Sequence, residues 1–119
     1  MSSRMMNRGH YKLVGKKVVP CTLGEWAEFF ERRSDRILKQ DKVGKLLVST
    51  VFLGLDHNFG NGGKPIVFES MVLGPHTNDD NSVTTSHDYA CERYTTYDEA
   101  LAGHAVLLGR VLSGEIGIE

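Results

Sequence analysis

Residues 46 to 57 read LLVSTVFLGLDH, and residues 66 to 73 read IVFESMVL. Both segments are rich in β-branched and large apolar residues, which fit the pleated surface of a sheet. The Gly- and Asn-rich residues 58 to 65 separate them, as a turn would. This pattern predicts a hairpin of strands 46–55 and 65–73 at the centre of an antiparallel sheet.

Strand 46–55 carries apolar residues at both alternating sets of positions, for example Leu47 and Val51 in one set and Val48 and Phe52 in the other. Such a pattern is typical of a strand that is covered on both faces. Because the chain has only two long helical patterns, we expect a partner subunit to supply part of this cover, and we predict a homo-oligomer.

Two capping boxes predict the starts of two helices. They are TLGE at residues 22–25 and TYDE at residues 96–99, in which the Thr side chain and the Glu side chain satisfy each other's free backbone amides. The apolar spacing that follows predicts helices over about 23–33 and 97–112.

Each predicted helix has one apolar stripe. In the first, Trp26 and Phe30 are expected to anchor the helix on the sheet, the alternative being an exposed aromatic binding patch. In the second, the stripe places His104 on the side that faces the sheet. Its members are Tyr97, Leu101, His104, Ala105, Leu108, Val111 and Leu112.

Shorter strands are predicted around 17–19, 36–40 and 89–94, with a polar turn at 41–44. The predicted fold class is therefore α+β, an antiparallel sheet of about four strands with two covering helices. Its 119 residues are enough for one domain.

We expect that domain to span residues 11–119, preceded by a mobile N-terminal arm at residues 1–10. Residues 74 to 88 have almost no apolar content and are predicted to form a long loop.

Composition excludes several classes of protein. A net charge of −1 and the absence of a basic stripe disfavour nucleic-acid binding. No segment approaches the roughly 18 consecutive apolar residues of a membrane span, so we expect no membrane partner and a cytoplasmic location. Cys21 and Cys91 lack the spacing of a zinc site and are expected to be reduced.

Polar side chains interrupt the predicted core and are the candidates for a functional site. A histidine and carboxylates brought together by a hairpin and a helix could bind a ligand, hold a divalent metal or transfer protons. The candidate ligand-binding residues are Asp56, His57, Glu69, Arg93, Tyr94 and His104.

Each candidate also has a structural interpretation. Asp56 and His57 could cap the turn that follows the strand, and His104 could be a core histidine with its hydrogen bonds satisfied. Glu69 lies within an apolar segment, so burial would require a partner, for which His104 and Arg93 are the two candidates.

Four short segments resemble a family of small uncharacterised proteins encoded by tailed bacteriophages and prophages. The segments are STVFLGLDH (49–57), FESMVLG (68–74), ERYTT (92–96) and EALAGH (99–104). The resemblance covers roughly residues 46 to 104. It implies a phage accessory protein that acts in the host cytoplasm, and it implies no particular activity.

Two functions remain open besides that of a structural or protein-binding accessory factor. The first is a non-catalytic protein that binds a small, nucleotide-like molecule and sequesters a nucleotide-derived host immune signal, with no cofactor. The second is a metal-dependent hydrolase or nuclease that uses His57, Glu69 and His104 as ligands, with Asp56 as base or further ligand.

Overall fold

A computed structural model describes residues 9–57, 63–75 and 87–117. The elements in chain order are β1 (Tyr11–Val14), β2 (Lys17–Pro20), α1 (Leu23–Glu31), α2 (Arg33–Arg36), β3 (Ile37–Val43), β4 (Leu46–Phe52), β5 (Phe68–Gly74), β6 (His87–Tyr94) and α3 (Tyr97–Leu112). The fold is α+β, as the sequence predicts, with a four-stranded and a two-stranded antiparallel sheet.

The larger sheet has the order β3-β4-β5-β6, so the predicted central hairpin supplies its two inner strands. The inner strands are shorter than predicted at the hairpin end, where β4 stops at Phe52 and β5 starts at Phe68. Gly54 has a φ of 76°, outside the extended region, which prevents β4 from continuing to residue 55.

Alternation along the strands defines two faces of this sheet. The helix-covered face includes Val48, Thr50, Ser70 and Val72, which are fully buried. The opposite face includes Leu47, Ser49, Val51, Glu69, Met71, Cys91 and Arg93. Leu47 is also buried, so β4 is covered on both faces as predicted.

The predicted polar turn at 41–44 is wrong, because β3 continues through these residues as far as Val43. The turn is formed by Gly44 and Lys45, with Gly44 at a φ of 59°. Asp41 stands opposite Val48, so its side chain is on the helix-covered face, where it reaches α3.

A second difference is the hairpin β1–β2, which replaces the single strand predicted at 17–19. Val14 pairs with Lys17 around a turn at Gly15, whose φ is 64°. The base of this hairpin is attached to the end of β4, because the amide of Tyr11 donates to the carbonyl of Gly54 over 2.8 Å.

The predicted arm at residues 1–10 falls largely outside the described residues. Its last two residues are held in place, since the Gly9 carbonyl accepts from the Asp56 amide over 2.9 Å and His10 forms a β-bridge with Leu55. Most of the predicted loop at 74–88 also lies outside the described ranges, and β6 begins at His87.

Helix α1 begins at the predicted capping box, but it is rotated relative to the predicted stripe. Phe29 is its buried side chain and meets the Phe52 ring edge-on at 5.7 Å. Trp26 and Phe30 stack on each other half-buried at the surface of the core, while Leu23 is exposed. The prediction that Phe30 anchors the helix in the core is therefore wrong, because the adjacent Phe29 is the buried residue.

Helix α3 spans the predicted range and begins at the second capping box. It lies against all four strands and buries Ala100, His104, Leu107 and Val111. Ala105 and Leu112, two members of the predicted stripe, are exposed instead. The described helices include none that is long and apolar enough to cross a membrane.

Both cysteines, Cys21 and Cys91, are free in the structure. Cys21 is buried, and Cys91 is exposed on β6. Burial raises the pKa of both thiols, and a nearby carboxylate, Glu25 for Cys21 and Glu69 for Cys91, adds to the effect.

Two glycines of α3 provide a matched test of how closely the helix packs on β6. A Cβ on Gly103 would overlap the Tyr94 ring, whereas a Cβ on Gly109 would meet nothing within 4 Å. We expect Gly103→Ala to lower the free energy of unfolding by about 1–3 kcal/mol through overpacking. Gly109→Ala should raise it by roughly 0.5–1 kcal/mol through helix propensity.

Urea unfolding followed by circular dichroism measures both changes. Equal effects of the two substitutions would contradict the close approach of α3 to Tyr94.

Candidate functional site

The six residues predicted as a ligand site do not form one cluster. They separate into a pair just after β4, a pair on the sheet face that α3 does not cover, and a pair where α3 packs against the sheet. Their members are, in that order, Asp56 with His57, Glu69 with Arg93, and Tyr94 with His104.

The first pair secures the chain where β4 and β5 diverge. The Asp56 carboxylate accepts from the amide of Ile66 over 2.9 Å, and the amide of His57 donates to the Ile66 carbonyl over 2.8 Å. These contacts correspond to the structural interpretation of the two residues, in which side-chain and backbone hydrogen bonds close the turn.

The second pair is an ion pair between neighbouring strands. Arg93 stands opposite Glu69, and its Nε donates to Glu69 Oε2 over 3.0 Å. The Glu69 side chain is only 13 % exposed, whereas that of Arg93 is 48 % exposed. Arg93 is therefore the partner that the partly buried Glu69 carboxylate requires, and the alternative pairing of Glu69 with His104 is wrong, because the two lie on opposite faces of the sheet.

His104 is the centre of a buried polar network. Its Nδ1 is 2.6 Å from Thr50 Oγ1, and its Nε2 is 2.7 Å from Asp41 Oδ2. The Thr50 hydroxyl is in turn 2.5 Å from that of Ser70. The imidazole ring thus links α3 to β3 through Asp41 and to β4 through Thr50, and Thr50 extends the network to Ser70 on β5.

For a neutral His104, the chemistry of these groups determines the direction of the hydrogen bonds. An ionised Asp41 can only accept, so Nε2 of His104 carries the proton and donates to it. In the neutral ring Nδ1 then accepts from Thr50, and Thr50 accepts from Ser70. Every polar atom of the network between Asp41 and Ser70 therefore has a partner, as burial requires.

Tyr94 extends the same region of the core. Its hydroxyl lies against Gly103, is buried, and has no hydrogen-bond partner of good geometry among the described residues. Burial raises the pKa of the phenol, while the nearby Ser70 hydroxyl acts in the opposite direction.

An acid, an imidazole and a hydroxyl in series resemble the triads of hydrolases. Thr50 and Ser70 have no exposed surface, however, and His104 is 1 % exposed. A nucleophile must reach its substrate, so we interpret Asp41, His104 and Thr50 as a structural tie between β3, β4 and α3.

A shared metal site at His57, Glu69 and His104 has no support in the geometry. Glu69 and His104 lie on opposite faces of the sheet, and His57 lies at the end of the hairpin. Within the described ranges, no three His, Cys, Asp or Glu side chains are grouped so that they could hold a metal ion.

Two clefts that the sequence did not suggest share Tyr97 in their lining. The first, of about 440 Å³, lies between the β1–β2 hairpin and the start of α3, and we call it the hairpin cleft. The second, of about 420 Å³, lies between β1, α1 and β3. The hairpin cleft is lined by Tyr11, Lys16, Val18, Pro20, Lys64, Pro65, Thr95, Thr96 and Tyr97.

Two lysines border the hairpin cleft. Lys16 is exposed at the tip of the hairpin, with Nζ 5.6 Å from the centre of the Tyr97 ring and 3.9 Å from Asp98. Lys64 is exposed on the segment that leads into β5. Lys64 and Pro65 belong to the segment 58–65 that the sequence predicts to be a turn, so nothing in the sequence indicated a cleft there.

Comparison with known proteins identified no matching family model, no similar curated protein and no similar solved structure.

Removal of the Thr50 hydroxyl tests whether the buried network contributes to stability. Thr50→Val keeps the shape but leaves His104 Nδ1 and Ser70 without their shared partner, which should lower the free energy of unfolding by about 1–3 kcal/mol. The control is Ser49→Ala, because the Ser49 hydroxyl lies on the opposite face of β4 and accepts from the half-buried Gln40 amide over 3.0 Å. Urea unfolding should show a smaller loss for Ser49→Ala, and a Thr50→Val variant as stable as the parent would contradict the assignment.

The position of the proton on His104 can be measured independently. We expect the neutral ring to carry its proton on Nε2, because Asp41 can only accept a hydrogen bond there. Nitrogen NMR of the histidine side chains should show this tautomer for the signal that disappears in a His104→Gln variant. A proton on Nδ1 in the neutral ring would reverse the hydrogen bonds derived above.

Proposed function

We propose that this protein binds a small anionic molecule in the hairpin cleft and does not transform it. The observation that carries the proposal is a cleft of about 440 Å³ whose lining is largely apolar and includes two exposed lysines. This volume is within the range of small-molecule sites, which combine apolar walls with a few polar groups.

The lining residues favour a particular chemistry. Val18, Pro20 and Pro65 offer apolar contacts, and the Tyr11 and Tyr97 rings offer flat surfaces for a planar group. Lys16 and Lys64 offer charge-assisted hydrogen bonds to phosphate or carboxylate oxygens. A nucleotide-like molecule combines a planar ring with phosphate and fits both requirements.

Lys16 supports the assignment of the hairpin cleft as an anion site, because its interaction with its present partner is weak. Its side chain is largely exposed, and so is that of Asp98, its partner at 3.9 Å. Exposed ion pairs contribute little free energy, so a phosphate can replace Asp98 at small cost.

The acidic and basic side chains that could act in catalysis already have partners, which favours binding over catalysis. Glu69 is paired with Arg93, and His104 is paired with Thr50 and Asp41. None of these groups lines the hairpin cleft. A metal-dependent hydrolase, the alternative function, would need several acidic or histidine side chains around one substrate. No observation favours this alternative.

The resemblance to phage proteins extends the proposal to a biological role. A phage accessory protein that holds a nucleotide tightly without turnover would sequester a nucleotide-derived host immune signal. We also propose that the protein acts as a homo-oligomer.

Mass spectrometry of molecules released by denaturing the purified protein tests the proposal first. Titration calorimetry then compares mononucleotides and dinucleotides with a phosphate-free nucleoside and with inorganic phosphate. We expect a bound nucleotide that is released intact, and affinity that requires both the ring and the phosphate.

A Lys16→Ala/Lys64→Ala variant should weaken nucleotide binding by about tenfold or more, since a hydrogen bond to a charged group contributes roughly 1.5–3 kcal/mol. The control is Lys39→Ala/Lys42→Ala, which removes the same charge from two exposed positions on β3. Equal affinity in both variants would refute the assigned site, and binding by no member of the panel would refute the proposed function. Conversion of the nucleotide would contradict the non-catalytic assignment.

A further inference from the structure

The second cleft, which lies between β1, α1 and β3, meets the same criteria for a small-molecule site as the hairpin cleft. Its volume of about 420 Å³ is close to the 440 Å³ of the hairpin cleft, and both are within the range of such sites. Leu13, Phe29 and Leu38 contribute apolar surface to its lining, and Tyr97 contributes an aromatic ring. The second cleft can therefore hold a planar group of similar size.

Arg32 and Asp35 offer a hydrogen-bond donor and an acceptor to a ligand in the second cleft. Arg32 Nε is 3.6 Å from Asp35 Oδ2, which is longer than a hydrogen bond, and the two side chains are 60 % and 48 % exposed. Such an exposed pair contributes little free energy. Lys12 also lines the cleft, but its ammonium group already donates to Glu25 over 3.2 Å. Arg32 is therefore the cation that is available to an anionic ligand.

These two side chains suit different parts of a nucleotide. The planar guanidinium group of Arg32 can bind a phosphate through two parallel N–H groups. The Asp35 carboxylate can accept hydrogen bonds from a sugar hydroxyl or from the amino group of a base. The second cleft thus combines an anion-binding group, an acceptor and an aromatic surface.

The two clefts meet at the tip of the β1–β2 hairpin. Tyr97 lines both of them, and the consecutive residues Gly15 and Lys16 line the second cleft and the hairpin cleft, respectively. Lys16 Nζ lies over the Tyr97 ring, 5.6 Å from its centre. A cation therefore stands where a molecule would pass from one cleft to the other.

We propose that the ligand is a dinucleotide, with one nucleoside unit in each cleft and the linking phosphate bound to Lys16. This inference rests on the proposed function, which places the first unit in the hairpin cleft. In the second cleft Arg32 binds the terminal phosphate of the second unit, and Asp35 accepts from its sugar or base.

The link between the two units determines the expected strength of binding. Once one unit is bound, the other is held near its cleft at a high effective concentration, so its contacts add to the affinity. A mononucleotide gains the contacts of one cleft only. We therefore expect a dinucleotide to bind about tenfold or more tightly than the matching mononucleotide.

Titration calorimetry of the full chain with the four ribonucleoside monophosphates and the matching 5′-phosphorylated homodinucleotides measures this difference. Arg32→Ala should weaken dinucleotide binding by about tenfold and leave mononucleotide binding unchanged, since it removes a charged hydrogen bond in the second cleft only. The control is Arg110→Ala, which removes an arginine that pairs with Glu115 away from both clefts and should change neither affinity.

A second variant blocks the second cleft without removing a charge. Val14 lines the second cleft but not the hairpin cleft, and it is 58 % exposed, so a larger side chain there can enter the cleft without disturbing the core. Val14→Trp should therefore reduce the affinity for the dinucleotide towards that for the mononucleotide. The melting temperature of each variant shows whether it is folded.

Three results would overturn the inference, and only the last would also refute the proposed function. The first is equal affinity of the parent protein for mononucleotides and dinucleotides. The second is a dinucleotide that binds more tightly but is unaffected by both Arg32→Ala and Val14→Trp. The third is no binding of any nucleotide.

Discussion

The position of α3 depends on the burial of one imidazole. His104 is placed by the helix against a sheet whose other contacts are apolar, so each of its nitrogens needs a partner. Asp41 and Thr50 supply these partners from the outer strand β3 and the inner strand β4. A shift of α3 by one residue would leave several buried polar atoms unpaired, at about 1–3 kcal/mol each.

This constraint positions the hairpin cleft, the surface to which we assign function. With His104 fixed and Tyr94 packed against Gly103, the start of α3 lies under the β1–β2 hairpin. Tyr97 is then a wall of the hairpin cleft. The same orientation turns Val106 away from the sheet, where it is exposed.

Local patterns in the sequence predicted the inner hairpin, both helix starts and the burial of β4, because capping boxes and strand alternation act over a few residues. The predictions that failed depend on distant contacts. Asp41 meets His104 across 63 positions, and nothing near either residue indicates the other. In α1 the spacing of apolar residues predicted that Phe30 faces the core, but it is the adjacent Phe29 that packs against Phe52. Thr50 and Ser70, polar residues at inward positions of apolar strands, were a signal that could have revealed the network.

The most direct measurement of the central claim is an NMR titration of the protein with a nucleotide, followed at the backbone amides. Binding in the hairpin cleft predicts chemical-shift changes concentrated at Lys16, Val18, Lys64 and Tyr97, with the His104 region unaffected. Changes centred on Glu69 and Arg93 instead, or no saturable change at any amide, would contradict the account.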